Sequence, residues 1–417
     1  MTQLKQISIK ILAGFSFIII CSTACRKELP QAHNPNTLLG VNTYGELFDE
    51  FWNTMNRRYQ YWDIDTTDWD AMYTRYKPVF DKLDINNEND QKKSVGYFRQ
   101  MLSGTLDAHL GFSFFAPAIS DTFLWPRWDF DLAGKNPYFL EDSDERTPDW
   151  QYYTYYDLDK THYLDNNYIS GTYITPVFQN FPVSVLQGTI NSNILYLGFD
   201  TQALTPALQD PATNVLKSAY NAFSQALNNN PNIKGAIVDM RGSLGGYGQD
   251  AIKMASAMID RPILRGFARY KNGTGRLDYT PWTPTYIEPA AGAKAIRVPL
   301  IILTDWLTFS AAEHITSALH AVPGAVTVGS HTAGGHIGYM NDNLQGSRGT
   351  FFRSFSAVGS DPNGNFMNLG MSCGVFRNPD GSDTYWGLKP DYLVPFDTTA
   401  IQAGRDPQLE KALSLIP

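Results

Sequence analysis

Residues 298–321 read VPLIILTDWLTFSAAEHITSALHA. The apolar run Val298 to Leu303 ends at the polar break Thr304-Asp305, and small residues then open a segment with Ala311, Ala312, Ile315, Ala318 and Leu319 at helical spacing. This pattern predicts a buried strand, a sharp turn and a helix that starts at Ser310. A serine there has its hydroxyl lifted clear of the strand, beside unpaired backbone N–H groups and the positive end of the helix dipole, a setting that favours an oxyanion. The same serine suits an N-cap, because Ser310 and Glu313 fit the S-x-x-E capping box. The stretch alone leaves both roles open, and a nucleophile would still need a group to take its proton.

Around this unit the chain alternates. ILYLGF (194–199) reads as a strand, PALQDPATNVLKSAYNAFSQAL (206–227) as a helix and IKGAIVDMR (233–241) as a buried strand. The Gly-rich turn GSLGGYG (242–248), the helix QDAIKMASAMI (249–259) and the strand AVTVGS (325–330) follow the same rhythm. Such alternation predicts a mainly parallel sheet flanked by helices. Residues 44–103 carry helical periodicity instead, with Leu47, Phe48, Phe51, Trp52 and Met55 as one stripe and Trp69, Met72, Tyr73 and Tyr76 as another. Thr67 and Asp70 fit a capping box for the second stripe. Residues 116–190 are rich in Trp, Tyr, Pro and Asp without a long period, which predicts short strands and loops. Residues 350–395 read as further strands and a closing tail.

The 417 residues are 43% hydrophobic and 13% aromatic, enough for a sizeable core. A formal charge of −8 and the lack of a Lys/Arg cluster argue against a nucleic-acid partner. Lys5 and Lys10 precede the run ILAGFSFIIICSTAC (11–25), which is too short and too abruptly ended to span a membrane and reads as a secretion signal. Its end, Ser22-Thr23-Ala24-Cys25, resembles the lipobox of bacterial lipoprotein precursors, departing from it at Ser22, where leucine is commoner. Cys25 is then the lipidated first residue of an exported protein held to a membrane of the cell envelope. Removal of Cys21 and lipidation of Cys25 leave Cys373 alone, so no internal disulfide is expected. The domains expected are a signal segment 1–24, a linker 25–40, a helical region 41–115, an aromatic-rich segment 116–190 and an α/β core 191–417.

Three separated pieces occur in a characteristic order: LDAHLGF (106–112), IVDMRGSLGG (237–246), and TFSAAEH (308–314) with VGSHTAGG (328–335). With the closing GLKPD (387–391), they resemble the carboxyl-terminal-processing and tricorn-type serine peptidases. The resemblance implies an α/β core of ClpP- or crotonase-like type, here with an N-terminal helical bundle and a β-rich insert. It also implies peptide-bond hydrolysis of a peptide or protein substrate, without a cofactor. In the processing branch the base is a lysine in a segment like T-F-G-K-G, but here that position holds Gly335. The tricorn branch takes a histidine from a segment like D-S-H-T, which matches Asp107-Ala108-His109-Leu110. His109 is therefore the candidate base for Ser310, a role that an imidazole titrating near neutrality can fill. The serine that precedes the histidine in that branch is replaced by Ala108, so the orienting group is open among Asp107, Glu313 and Asp383. The resemblance places oxyanion donors at the backbone N–H of Gly245 and Ala311. His336 is a reserve base. His314 and His320, and His331 and His336, lack metal-ligand spacing, so no metal is expected. Gly335 and Ala108 also leave room for an alternative, a catalytically silent binding protein on the same scaffold for a peptide or hydrophobic ligand.

Overall fold

The apolar stripes of the first hundred residues become three helices, α1 (Tyr44–Arg58), α2 (Trp69–Phe80) and α3 (Glu88–Leu102), which follow strand β1 (Leu39–Val41). The computed structural model describes residues 39–120, 122–126, 148–175, 181–335, 350–354 and 365–417, all within one unit spanning Leu38–Pro417. Leu47, Phe48, Phe51 and Met55 of α1 and Trp69 of α2 are fully buried. Phe51 meets Trp69 and Phe98 edge-on at 5.7 and 5.1 Å, the geometry that aromatic quadrupoles favour. The start of α2 differs from the sequence expectation. Asp68, not Thr67, is the N-cap, its carboxylate accepting from Ala71 N at 2.9 Å, because this short acid reaches the third helical amide directly. Asp70 instead faces Arg276.

These helices share their core with a five-stranded sheet ordered β1-β12-β13-β2-β3, made by β2 (Gly111–Phe114), β3 (Phe123–Leu124), β12 (Thr350–Ser354) and β13 (Asn365–Gly370). Phe112, Phe114, Phe366 and Leu369 supply the sheet's side of that core. Strand β13 pairs antiparallel with β2, with Gly370 opposite Gly111 and Leu369 opposite Phe112.

The central sheet has seven strands in the order β15-β11-β10-β7-β6-β5-β4: β4 (Ile169–Thr175), β5 (Phe181–Ile190), β6 (Ile194–Phe199), β7 (Gly235–Asp239), β10 (Leu300–Thr304), β11 (Ala325–Gly329) and β15 (Tyr392–Leu393). From β6 to β15 every pairing is parallel, whereas β4, β5 and β6 pair antiparallel. The sheet is thus mixed. Strands β6, β7 and β10 are buried at every residue, as expected of parallel strands covered on both faces. Helices α5 (Leu204–Gln209), α6 (Val215–Asn229), α7 (Gln249–Ser256) and α8 (Ala311–His320) connect this part. The stretch read as one helix, 206–227, is two. Asp210 precedes Pro211 and is extended, since proline disfavours helical backbone in the residue before it, and Asn214 then caps α6.

The aromatic-rich segment also differs, because it contains helix α4 (Pro148–His162) beside its strands. A hairpin of β8 (Ile263–Arg269) and β9 (Thr283–Ile287) forms a third sheet with β14 (Val375–Arg377). Helices α9 (Thr398–Gln402) and α10 (Pro407–Ser414) close the chain. No helix of the described residues is long and apolar enough to cross a membrane.

Candidate active site

Strands β7, β10 and β11 lie side by side and parallel, so the loops after them emerge at one edge of the sheet, the usual place for chemistry in such sheets. They are the turn 240–248, the turn 305–310 and the segment 330–335. Asp305 fastens two of them together: its carboxylate accepts from Gly242 N at 3.0 Å and from Thr308 N at 2.9 Å. Phe309 N donates to Ser243 O at 2.9 Å. Gly245, at φ 101°, lies so close to the serine that a Cβ there would stand 2.7 Å from Ser310 Cβ and 3.0 Å from Ala311 N. Only glycine fits that approach and that backbone.

Ser310 stands at φ 55° and ψ −119°, a conformation that a residue with a side chain seldom adopts. It is the N-cap residue of α8, with the Glu313 carboxylate accepting from its amide at 3.3 Å. Its hydroxyl lies 2.9 Å from His109 Nε2, although the two residues are 201 positions apart. The other imidazole nitrogen, Nδ1, lies 3.2 Å from Ser372 Oγ. Ser372 Oγ donates to Asp107 Oδ1 at 2.6 Å, and the Asp107 carboxylate also accepts from His109 N at 2.9 Å and Ser372 N at 2.8 Å. Ser310, His109, Ser372 and Asp107 therefore form one continuous hydrogen-bonded row. His109 is half-buried, and the protein packed around its ring lowers its pKa below the ordinary 6.5, while the nearby Asp107 charge acts in the opposite sense.

The sequence of this part matches a family model described as "Peptidase family S41" over residues 205–394. Residues 205–394 thus resemble peptidase family S41. A second model, "Tricorn protease C1 domain", matches residues 41–89. A putative peptidase from Parabacteroides merdae has a similar structure, with TM-score 0.63, 19% identity, and 90% of this chain and 97% of that one covered. More distant likenesses are a lipoprotein from Streptococcus agalactiae (TM-score 0.44, 12% identity, 91% and 98% covered) and the photosystem II D1 C-terminal processing protease (TM-score 0.41, 12% identity, 85% and 94% covered). A search of curated proteins gives no match.

Within this core the remaining sequence candidates separate. At Gly335, the position of the lysine base in the processing branch, a Cβ would stand 1.9 Å from the Phe309 ring. That ring lies 4.6 Å from the His109 ring and 5.8 Å from Trp125, so an aromatic side chain fills the space a lysine would need. Glu313 binds Thr332 Oγ1 at 2.5 Å and Gly334 N at 2.9 Å, tying the 330–335 segment to the start of α8. Asp383 pairs with Arg377 at 2.7 Å near the surface. Of the three carboxylates proposed to orient His109, Asp107 is the one linked to its ring, and the link runs through Ser372. His336 lies outside the described residues. His314 meets Arg265 at 2.5 Å and His320 meets Asp391 at 2.9 Å. Ser372 was missed in the sequence, where MSCG carries no motif. The only available signal was its place after a strand that pairs with the strand following His109.

Proposed function

We propose that this protein is an exported, lipid-anchored serine endopeptidase in which Ser310 attacks the peptide carbonyl and His109 takes its proton. The 2.9 Å approach of His109 Nε2 to Ser310 Oγ carries this reading, because a nucleophile and its base must lie within hydrogen-bond reach. Burial, by lowering the imidazole pKa, keeps the base neutral and ready at neutral pH. The backbone N–H groups of Gly245 and Ala311 receive the carbonyl oxygen as it becomes negative. The imidazolium then gives its proton to the departing amine, leaving an acyl-serine. Water, deprotonated by the same imidazole, breaks the ester and returns the hydroxyl. Leu244, half exposed beside Gly245, offers the bound peptide an apolar contact. Under this reading the core has the crotonase-like arrangement, the helices α1 to α3 form its N-terminal domain, and lipid on Cys25 holds the protein at the cell envelope.

A fluorophosphonate probe tests the chemistry. The wild type should label at Ser310, and both Ser310→Ala and His109→Ala should lose that label; an unlabelled, folded wild type would favour a binding protein on the same scaffold. Fractionation tests the anchor: the wild type should sediment with membranes and Cys25→Ala should not.

A further inference from the structure

Ser310 and His109 leave unexplained how the imidazole is kept in the one tautomer that can accept a proton. We infer that Ser372, backed by Asp107, is the positioning residue that holds the proton of neutral His109 on Nδ1 and leaves Nε2 open to Ser310. This rests on the peptidase reading only for its kinetic consequence.

The argument begins with proton counting. A serine hydroxyl has one hydrogen and two acceptor lone pairs. Asp107 Oδ1, 2.6 Å from Ser372 Oγ, is an acceptor and takes that hydrogen. At its contact with His109 Nδ1, 3.2 Å away, Ser372 can then only accept, so Nδ1 must carry N–H. The carboxylate cannot swing away, because it is gripped by His109 N and Ser372 N at 2.9 and 2.8 Å and is fully buried. The sheet brings the partners together. Gly111 pairs with Gly370 at the end of the ladder, and His109 and Ser372 lie two residues beyond that pair, one on each chain segment, where their side chains meet. A hydroxyl just past the end of β13, 263 residues downstream, thus does the orienting that Ala108, buried against Phe309 and Trp125, has no group to do. When Nε2 accepts the serine proton, the Nδ1–H···Oγ–H···carboxylate row faces the new positive charge with a fixed dipole and a negative group.

The test reads the tautomer directly, using full-length protein labelled with 15N-histidine and the His109→Ala spectrum for assignment. At a pH where His109 is neutral, the wild type should show Nδ1 protonated and Nε2 bare. Ser372→Ala, which leaves little more than a missing hydroxyl, should shift His109 toward a mixture of tautomers, and Ser372→Thr should keep the wild-type pattern. A wild type protonated at Nε2, or a folded Ser372→Ala with unchanged His109 shifts, would overturn the inference. The spectrum needs no turnover, so failure of the peptidase reading shows separately, as a wild type that does not react with the fluorophosphonate. In a wild type that does label, Ser372→Ala should slow the reaction on the order of 10²-fold while still unfolding cooperatively, and Ser372→Thr should restore the rate.

Discussion

Ser310 occupies the corner of a type II′-like turn, at φ 55° and ψ −119°, where a side chain costs about 1–3 kcal/mol. Glycine would relieve that strain and alanine would not. Ser310→Gly should therefore be more stable to urea than Ser310→Ala by about 1 kcal/mol, after the extra chain entropy of glycine is subtracted, while neither reacts with the probe. Equal stabilities would mean that the turn stores no strain. His109 gives a second expectation at this scale. Its pKa is lowered by burial from 6.5 in the folded protein, so between the folded and unfolded values only the unfolded chain binds the proton. Stability from this group is present above pH 6.5 and is lost as pH falls toward the folded pKa. The urea midpoint should fall less on mild acidification in His109→Gln than in wild type. Labelling of Ser310 should rise with pH along a limb whose midpoint lies below 6.5.

The Gly-rich turn and the start of α8 act as one element because the chain allows no side chain between them. A methyl on Gly245 would stand 2.7 Å from Ser310 Cβ and 2.9 Å from Phe309 O, at a backbone angle of 101°. Gly245→Ala should keep the sheet, since its circular dichroism depends on strands the turn only joins, yet reduce labelling by roughly 10²–10³, the cost of one misplaced oxyanion donor. The 330–335 segment behaves similarly. Gly335→Lys would restore the residue type used by the processing branch, but its Cβ meets Phe309, whose ring packs against that of His109 at a tilt. The variant should lose activity rather than gain a lysine base, as measured by peptide hydrolysis across neutral and alkaline pH.

At the scale of the molecule, the site is fixed to the rest of the core through Arg241, which is fully buried directly before Gly242. Its guanidinium meets Asp159 of α4 at 3.0 Å, Asp239 at the end of β7 at 2.6 Å and Asp406 at the start of α10 at 2.6 Å, and it lies 3.8 Å from the Tyr155 ring. Burial and the Asp406 charge raise the Asp159 pKa well above the ordinary carboxylate value. One cation thus joins three parts of the chain distant in sequence. Arg241→Ala would leave these carboxyls without their cation in a dry interior, and should cost about 3–5 kcal/mol in denaturant unfolding. A loss below about 1 kcal/mol would show that the arginine is not what holds these parts together.

The sequence by itself determined whatever depends on neighbours along the chain. Apolar runs set β6, β7 and β10, the Thr304-Asp305 break set the turn before Ser310, and the helical stripes set α1 and α2. Side-chain periodicity is a local property of the backbone, so these parts were legible, as were Ser310, His109 and the Gly-rich turn through their motifs. Local chemistry also misled: Asp68 outcompeted Thr67 as a cap, Pro211 divided a helix, and the aromatic-rich segment hid α4 because its composition masks any period. Only the tertiary structure decided which groups meet. The approach of two strand ends set His109 beside Ser372, the Ser372 hydroxyl tied Asp107 in behind it while Glu313 bonds Thr332 and Gly334 and Asp383 pairs with Arg377, and the Phe309 ring closed the space beside Gly335. Strand pairing and side-chain volume act between residues hundreds of positions apart, and no spacing within one segment encodes them.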